Sequence, residues 1–172
     1  MAQPFDDVAP ETIEREILTW SRFGDATREL AQQVADSQWQ ADVVVAIARG
    51  GLIPAGAVAY ALGVKAMAAT NVEFYTGIGE VLTEPVFLPP LMDSSSLGGK
   101  RVLVVDDVAD SGRTLQKVIE SLSEGPAAAA SVRSAVLYHK PRSVIVPDYV
   151  WLSTDKWIMF PWSDQPPVTP SA

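Results

Sequence analysis

VLVVDDVADSGRT, residues 102–114, decides how the rest of the chain is read. Four apolar residues, three of them valine, form the kind of run found in a strand buried on both faces. Two aspartates follow at once, Asp106 and Asp107, and a third stands at Asp110. The segment TLQKVIESLSEG (114–125) then has helical periodicity and is stopped by Gly125-Pro126. Strand, acidic turn and helix in that order put Asp106 and Asp107 at the carboxyl end of the strand. The backbone N–H groups of Ser111, Gly112, Arg113 and Thr114 fall at a helix N-terminus, where amides converge on an anion and the Ser and Thr hydroxyls add donors. Three carboxylates beside an anion cradle are consistent if the ligand carries both a phosphate and hydroxyls. Asp106 and Asp107 then accept hydrogen bonds from a sugar diol. Asp110 is left to handle a proton or to stabilise positive charge at a reacting carbon. Neither GxxxxGK[ST] nor a GxGxxG after a strand occurs, so this is neither a Walker loop nor a dinucleotide fingerprint.

The surrounding pattern alternates. TWSRFGDATRELAQQVADS, from Thr19, brings Phe23, Ala26, Leu30 and Val34 to one helical face. ADVVVAI (41–47) is a second buried strand, followed by a glycine turn and a helix of small residues, and VKAMAA (64–69) is a third strand. Residues 70–99 break the alternation with Pro85, Pro89 and Pro90, as expected of a lid, hairpin or binding loop. SVRSAVLYHK (131–140) is a further strand and PDYVWLSTDKWIMFPW is extended and aromatic. The expectation is an α/β fold, a mainly parallel central sheet flanked by helices, with ligands outside the carboxyl ends of the strands. Residues 1–16 read as a flexible arm, 17–164 as the domain and 165–172 as a disordered tail.

Bulk properties exclude several classes. A chain of 172 residues suits one domain. Its net charge of −8, with no clustered basic stretch, argues against a nucleic-acid partner. There is no cysteine, which rules out disulfides, zinc thiolates and cysteine nucleophiles. The acidic start, MAQPFDDVAPETIERE, lacks an apolar core and does not read as a signal peptide. No apolar run is long enough to span a membrane, so a cytoplasmic protein is expected.

VLVVDDVADSGRT resembles the ribose-phosphate signature of the type I phosphoribosyltransferases, with Ala109 where a larger apolar residue is commoner. The resemblance implies that Asp110 through Thr114 hold a 5′-phosphate and that Asp106 and Asp107 hold the ribose. It makes Ala48, Arg49, Gly50 and Gly51 the pyrophosphate loop, often with a cis peptide, here expected at Ala48–Arg49. Lys140-Pro141, Asp148-Tyr149-Val150, Trp157-Ile158 and Pro161-Trp162 are similar to the purine salvage branch, nearest its xanthine–guanine and hypoxanthine members. On that likeness Lys140 donates to O6 of a 6-oxopurine, Trp157 stacks the base, the Ile158 backbone meets its edge, and Asp110 sits near N7 as the catalytic acid–base group. Phe74 and Tyr75 stand in the mobile loop, about 71–98, where relatives carry Ser-Tyr. A hood is expected from the N-terminal and 149–164 segments. Met159 stands where the xanthine–guanine enzymes carry an acid, which favours hypoxanthine or guanine. Magnesium is implied with phosphoribosyl pyrophosphate, held indirectly by Asp106 and Asp107 and by Asp164. Relatives assemble as homodimers or homotetramers, and Trp151 or Trp162 are interface candidates. His139, the one histidine, stands beside Lys140, but strand alternation points it away from its neighbour and argues against a catalytic role. Arg133 and Arg142 read as surface or interface residues. Two alternatives stand beside the enzyme: a nucleotide-sensing regulator of the same fold, and a phosphoribosyltransferase for another acceptor.

Overall fold

The computed structural model describes residues 14–73, 76–77, 80–81, 86–87 and 94–171. The chain runs β1 (Arg15–Ile17), α1 (Trp20–Asp36), β2 (Val43–Ala48), α2 (Leu52–Leu62), β3 (Met67–Glu73), β4 (Thr76–Gly77), β5 (Glu80–Val81) and β6 (Val86–Phe87). A short 3-10 turn (Ser94–Leu97) leads to β7 (Arg101–Ala109), α3 (Arg113–Ser123), β8 (Ser131–His139), β9 (Tyr149–Ser153) and β10 (Trp157–Met159). The central sheet has the order β6-β3-β2-β7-β8-β9. Its five longer strands are parallel, and only β6 pairs antiparallel, on β3. This is the expected architecture.

The β-branched runs of β2 and β7 form the centre of the sheet because both their faces are covered. Alternate residues of β7 face opposite layers. Leu103 and Val105 join a core with Leu30 and Val34 of α1 and Ala55 and Val58 of α2. Val102 and Val104 join a second core with Leu115 and Val118 of α3. Helices therefore lie on both sides. At the start of α1, Thr19 Oγ1 accepts from the Arg22 amide at 3.2 Å and satisfies one of the first-turn donors. The stripe Phe23, Ala26, Leu30 and Val34 is buried as its spacing requires.

Two boundaries differ from the expectation. β3 extends through Thr70, Asn71 and Glu73, residues assigned by sequence to the irregular excursion. Pairing with β2, Ile47 to Thr70 and Ala48 to Asn71, and with β6, Glu73 to Val86, carries the strand through Asn71 and Glu73, whose local strand preference is weak. Arg15 and Glu16, placed in the arm, are strand residues, because β1 pairs parallel with β10 in a separate two-stranded sheet.

One feature of the topology positions the site. β2 leads through α2 outward to β3, whereas β7 leads through α3 in the opposite direction to β8. The connections diverge between β2 and β7, the point at which open α/β sheets leave a crevice. The last β2–β7 pair is Ala46 with Val105, yet β7 continues along β8 to Ala109. Asp106 and Asp107 thus lie within β7, not beyond it, on the stretch where its pairing with β2 has ended.

Candidate active site

Three chain segments meet at that crevice. At the end of β2 the Ala48–Arg49 peptide is cis, as the resemblance implies. The Gly51 amide then donates to Ile47 O at 2.8 Å and the Leu52 amide to Arg49 O at 3.1 Å, closing a tight turn into α2. The absence of side chains is required here. A Cβ on Gly51 would lie 2.5 Å from Val105 O and 2.6 Å from Ile47 O, and one on Gly50 would collide with the Asp107 carboxylate. The Arg49-Gly50-Gly51 turn and the β7 acids are therefore in direct contact.

The two acids have a strained electrostatic setting. The Asp107 amide donates to Asp106 Oδ1 at 2.9 Å. Burial, then the neighbouring Asp107 charge, hold the Asp106 carboxyl well above the ordinary carboxylate range. Burial pushes Asp107 up to about 6. Among the described residues neither carboxylate has an ion-pair partner. Two half-buried acids without a countercharge suit a ligand that brings hydroxyl donors or a cation.

The β7–α3 turn forms the second part. Gly112 caps α3 with φ 75° and ψ −7°, the left-handed region that glycine adopts without penalty. The first intrahelical bond runs from the Gln116 amide to Gly112 O at 2.9 Å, which leaves the amides ahead of it without helical acceptors. Ser111 Oγ accepts from the Arg113 amide at 3.4 Å. Asp110 and Ser111 are exposed, so the cradle faces solvent.

The third part is the turn after β8. The Lys140 amide donates to Ala109 O at 3.0 Å and the Val144 amide to Ser111 O at 2.9 Å, so this turn is bonded directly to the phosphate-type loop. Lys140 is 8% exposed, and its Nζ donates to Lys156 O, immediately before Trp157. A cleft of about 250 Å³ lies between, lined by Val108, Asp110, Lys140, Trp157, Ile158, Phe160 and others. Trp157 is 66% exposed beside it, an apolar ring with no covering partner at hand.

The candidates are thus largely brought together. Gly50 and Gly51 meet Asp107 and Asp106, and Asp110, Lys140, Trp157 and Ile158 line one cleft a few residues further along the same strand ends. Asp164 is exposed just after Ser163, which lines the cleft, but among the described residues no three acidic or histidine side chains form a metal-binding group. Phe74 and Tyr75 lie outside the described residues. Trp151 and Trp162 are built into the fold: Trp151 Nε1 donates to Glu29 Oε2 at 2.8 Å, and Trp162 stacks on Phe160 at 4.9 Å. Arg133 does not stand free either; its Nη1 donates to the Tyr149 hydroxyl at 2.6 Å. His139 Nδ1 lies 3.5 Å from Ser153 Oγ on β9. Arg142 is exposed, as the sequence reading had it, but that reading did not pair it with Asp110. Its Nη2 donates to Asp110 Oδ1 at 2.5 Å and Oδ2 at 2.6 Å, and its Nε donates to Oδ1 at 3.0 Å. A single arginine in a turn carries no periodic signal that would have exposed this role.

A doubly covered, mainly parallel sheet carries an acid pair and a row of helix-start amides at its switch point, an arrangement suited to a sugar phosphate. Residues 14–167 match the phosphoribosyl transferase domain, and the chain belongs to that family. It is 38% identical to a purine phosphoribosyltransferase from Pyrococcus horikoshii, with a TM-score of 0.76 over 91% of this chain and 99% of that one. It is 30% identical over 163 residues to a xanthine-guanine phosphoribosyltransferase of Gluconobacter oxydans, covering 94% of this chain and 92% of the relative. An Idiomarina loihiensis protein of the same name is 30% identical over 148 residues, 84% of each chain.

Proposed function

We propose that the protein transfers the 5-phosphoribosyl group of phosphoribosyl pyrophosphate to N9 of a 6-oxopurine, releasing pyrophosphate and a purine nucleoside 5′-monophosphate for purine salvage. The observation that carries this reading is the joint placement of Gly50 against Asp107 and of Asp110, Lys140, Trp157 and Ile158 around one cleft. A diphosphate, a furanose, a phosphate and a flat base each have a matching surface within one crevice.

Amides of 111–114 hold the 5′-phosphate, with the Ser111 and Thr114 hydroxyls beside them. Asp106 and Asp107 accept from the 2′- and 3′-hydroxyls and supply negative potential next to C1′. The Arg49-Gly50-Gly51 turn holds the diphosphate. Trp157 stacks the base and the Ile158 backbone meets its edge. Lys140 Nζ keeps donors to spare beyond the one given to Lys156 O, and O6 is an acceptor for one of them. A 6-amino group would set donor against donor. The C1′–O bond to pyrophosphate breaks with its electron pair leaving on oxygen, N9 forms the new C1′ bond, and the N7 proton passes to Asp110.

The acid pair also fits magnesium, which takes oxygen ligands and keeps several waters rather than needing a full protein cage. Asp106 and Asp107 would hold it through the ribose or water, with Asp164 at the cleft edge as the further candidate, and it would neutralise the leaving diphosphate. The paired β1 and β10 serve as the hood, since Ile158 belongs to β10. Residues 71–98 include the segment that closes over the site. Among the described residues no helix is long and apolar enough to cross a membrane. A cytoplasmic site of action belongs to the proposal.

A homodimer or homotetramer is part of the same reading. α2 is apolar all round, yet Tyr60 is 92% and Leu52 45% exposed, a helix of a kind that is ordinarily covered on every side.

Pyrophosphate release, followed with magnesium, phosphoribosyl pyrophosphate and hypoxanthine, guanine, xanthine or adenine in turn, tests the function. Release with an oxopurine and not with adenine supports it. Ligand binding without release would point to the regulator, and release with adenine to another acceptor class.

A further inference from the structure

We propose that Arg142 is a positioning residue for Asp110, an assignment that rests on the phosphoribosyl-transfer reading above. The two side chains form a forked pair with three donor–acceptor contacts of 2.5–3.0 Å. Both line the cleft that holds Lys140 and Trp157, and Arg142 also borders the adjoining cleft of about 450 Å³ with Asp155.

The pair answers two difficulties of the site. Asp110 stands at the head of a loop built to bind a dianion, and a free carboxylate there repels the 5′-phosphate. The guanidinium cancels that charge without filling the amide cradle. Asp110 is also half-exposed, so its carboxylate has no packing to hold it toward the base. A planar fork fixes both oxygens at once, which an ammonium does not.

The support behind Arg142 is firm although its side chain is exposed. The turn that carries it is bonded on both flanks to the β7–α3 loop, by the Lys140 amide to Ala109 O and the Val144 amide to Ser111 O. Ser143 occupies the space that a Gly112 side chain would need. The backbone at 142 thus moves with the loop it serves, and the guanidinium alone spans the gap to Asp110.

The test is kinetic, on the whole chain, with R142A, R142K and both R142A and D110N combined. R142A should lower kcat about 10- to 100-fold, the scale on which misplacing a reacting group acts. KM for phosphoribosyl pyrophosphate should stay within about threefold, since the cradle amides are untouched. R142K, which restores charge without the fork, should recover part of the loss. In the D110N background, removing Arg142 should cost no more than about twofold, because the group it positions is gone. A thermal melt checks folding, and an exposed arginine is expected to leave it unchanged. R142A with wild-type kcat, a loss carried by KM alone, or an equal loss in the D110N background each overturns the assignment. A wild-type protein that releases no pyrophosphate with any oxopurine overturns the reaction itself and this role with it.

Discussion

Asp107→Asn should make the protein more stable at pH 7.5 while stripping it of the sugar-phosphate site. Asp107 is raised to about 6 from an ordinary 3.8, chiefly by burial. The folded chain therefore holds this proton more tightly than the unfolded chain does. A group of this sign contributes no penalty below about pH 4. Its penalty grows as pH rises and is complete above about 6. The rise from 3.8 to about 6 corresponds to a few kcal/mol at roughly 1.4 kcal/mol per pH unit. Because the carboxylate retains some solvent access, a gain of about 1–3 kcal/mol at pH 7.5 is expected for the asparagine variant. Urea unfolding of both proteins at pH 4, 5, 6 and 7.5 measures it. The two stabilities should converge at pH 4 and separate by pH 7. A separation that does not change with pH would refute the electrostatic account. The same variant should bind phosphoribosyl pyrophosphate weakly. In the wild type that binding should strengthen as pH rises through about 6, since a sugar diol needs an ionised acceptor.

Asp110→Asn should lower turnover about 10²- to 10⁴-fold with sugar-substrate binding largely kept, if Asp110 takes the N7 proton; steady-state kinetics with the preferred base checks it. Lys140→Ala should reduce the preference for an oxopurine over adenine by about 10- to 150-fold, the worth of a charged hydrogen bond, measured as a ratio of kcat/KM values. Gly112→Ala should cost about 2–4 kcal/mol, combining left-handed backbone strain with crowding at Ser143 Oγ and at Ile145 Cγ2, 3.0 Å from the new Cβ. Chemical denaturation reads that cost directly.

The parts legible from sequence are those whose signal is local. The valine run of β7, the acids behind it and the Ser-Gly-Arg-Thr turn spell out strand, crevice and helix start in thirteen residues. The stripe of α1 is equally explicit. The far end of β3 was not legible, because Asn71 and Glu73 have weak strand preference and are held by partners on β2 and β6. Ser143-Val144-Ile145-Val146 has the composition of a strand, yet it lies between β8 and β9 in no strand, with Val144 and Val146 exposed. The Arg142–Asp110 pair spans 32 positions and joins two turns. No periodicity encodes such a contact; only the folded register of β7 beside β8 brings it about.

On the proposed function, one crevice at the β2–β7 divergence holds the whole of a purine nucleoside monophosphate. A crystal structure of the protein with guanosine or inosine 5′-monophosphate tests it most directly. The phosphate is expected on the amides of 111–114, the furanose on Asp106 and Asp107, and the base between Lys140 and Trp157. Nucleotide bound at any other surface, or bound here with its base turned away from Trp157, would contradict it.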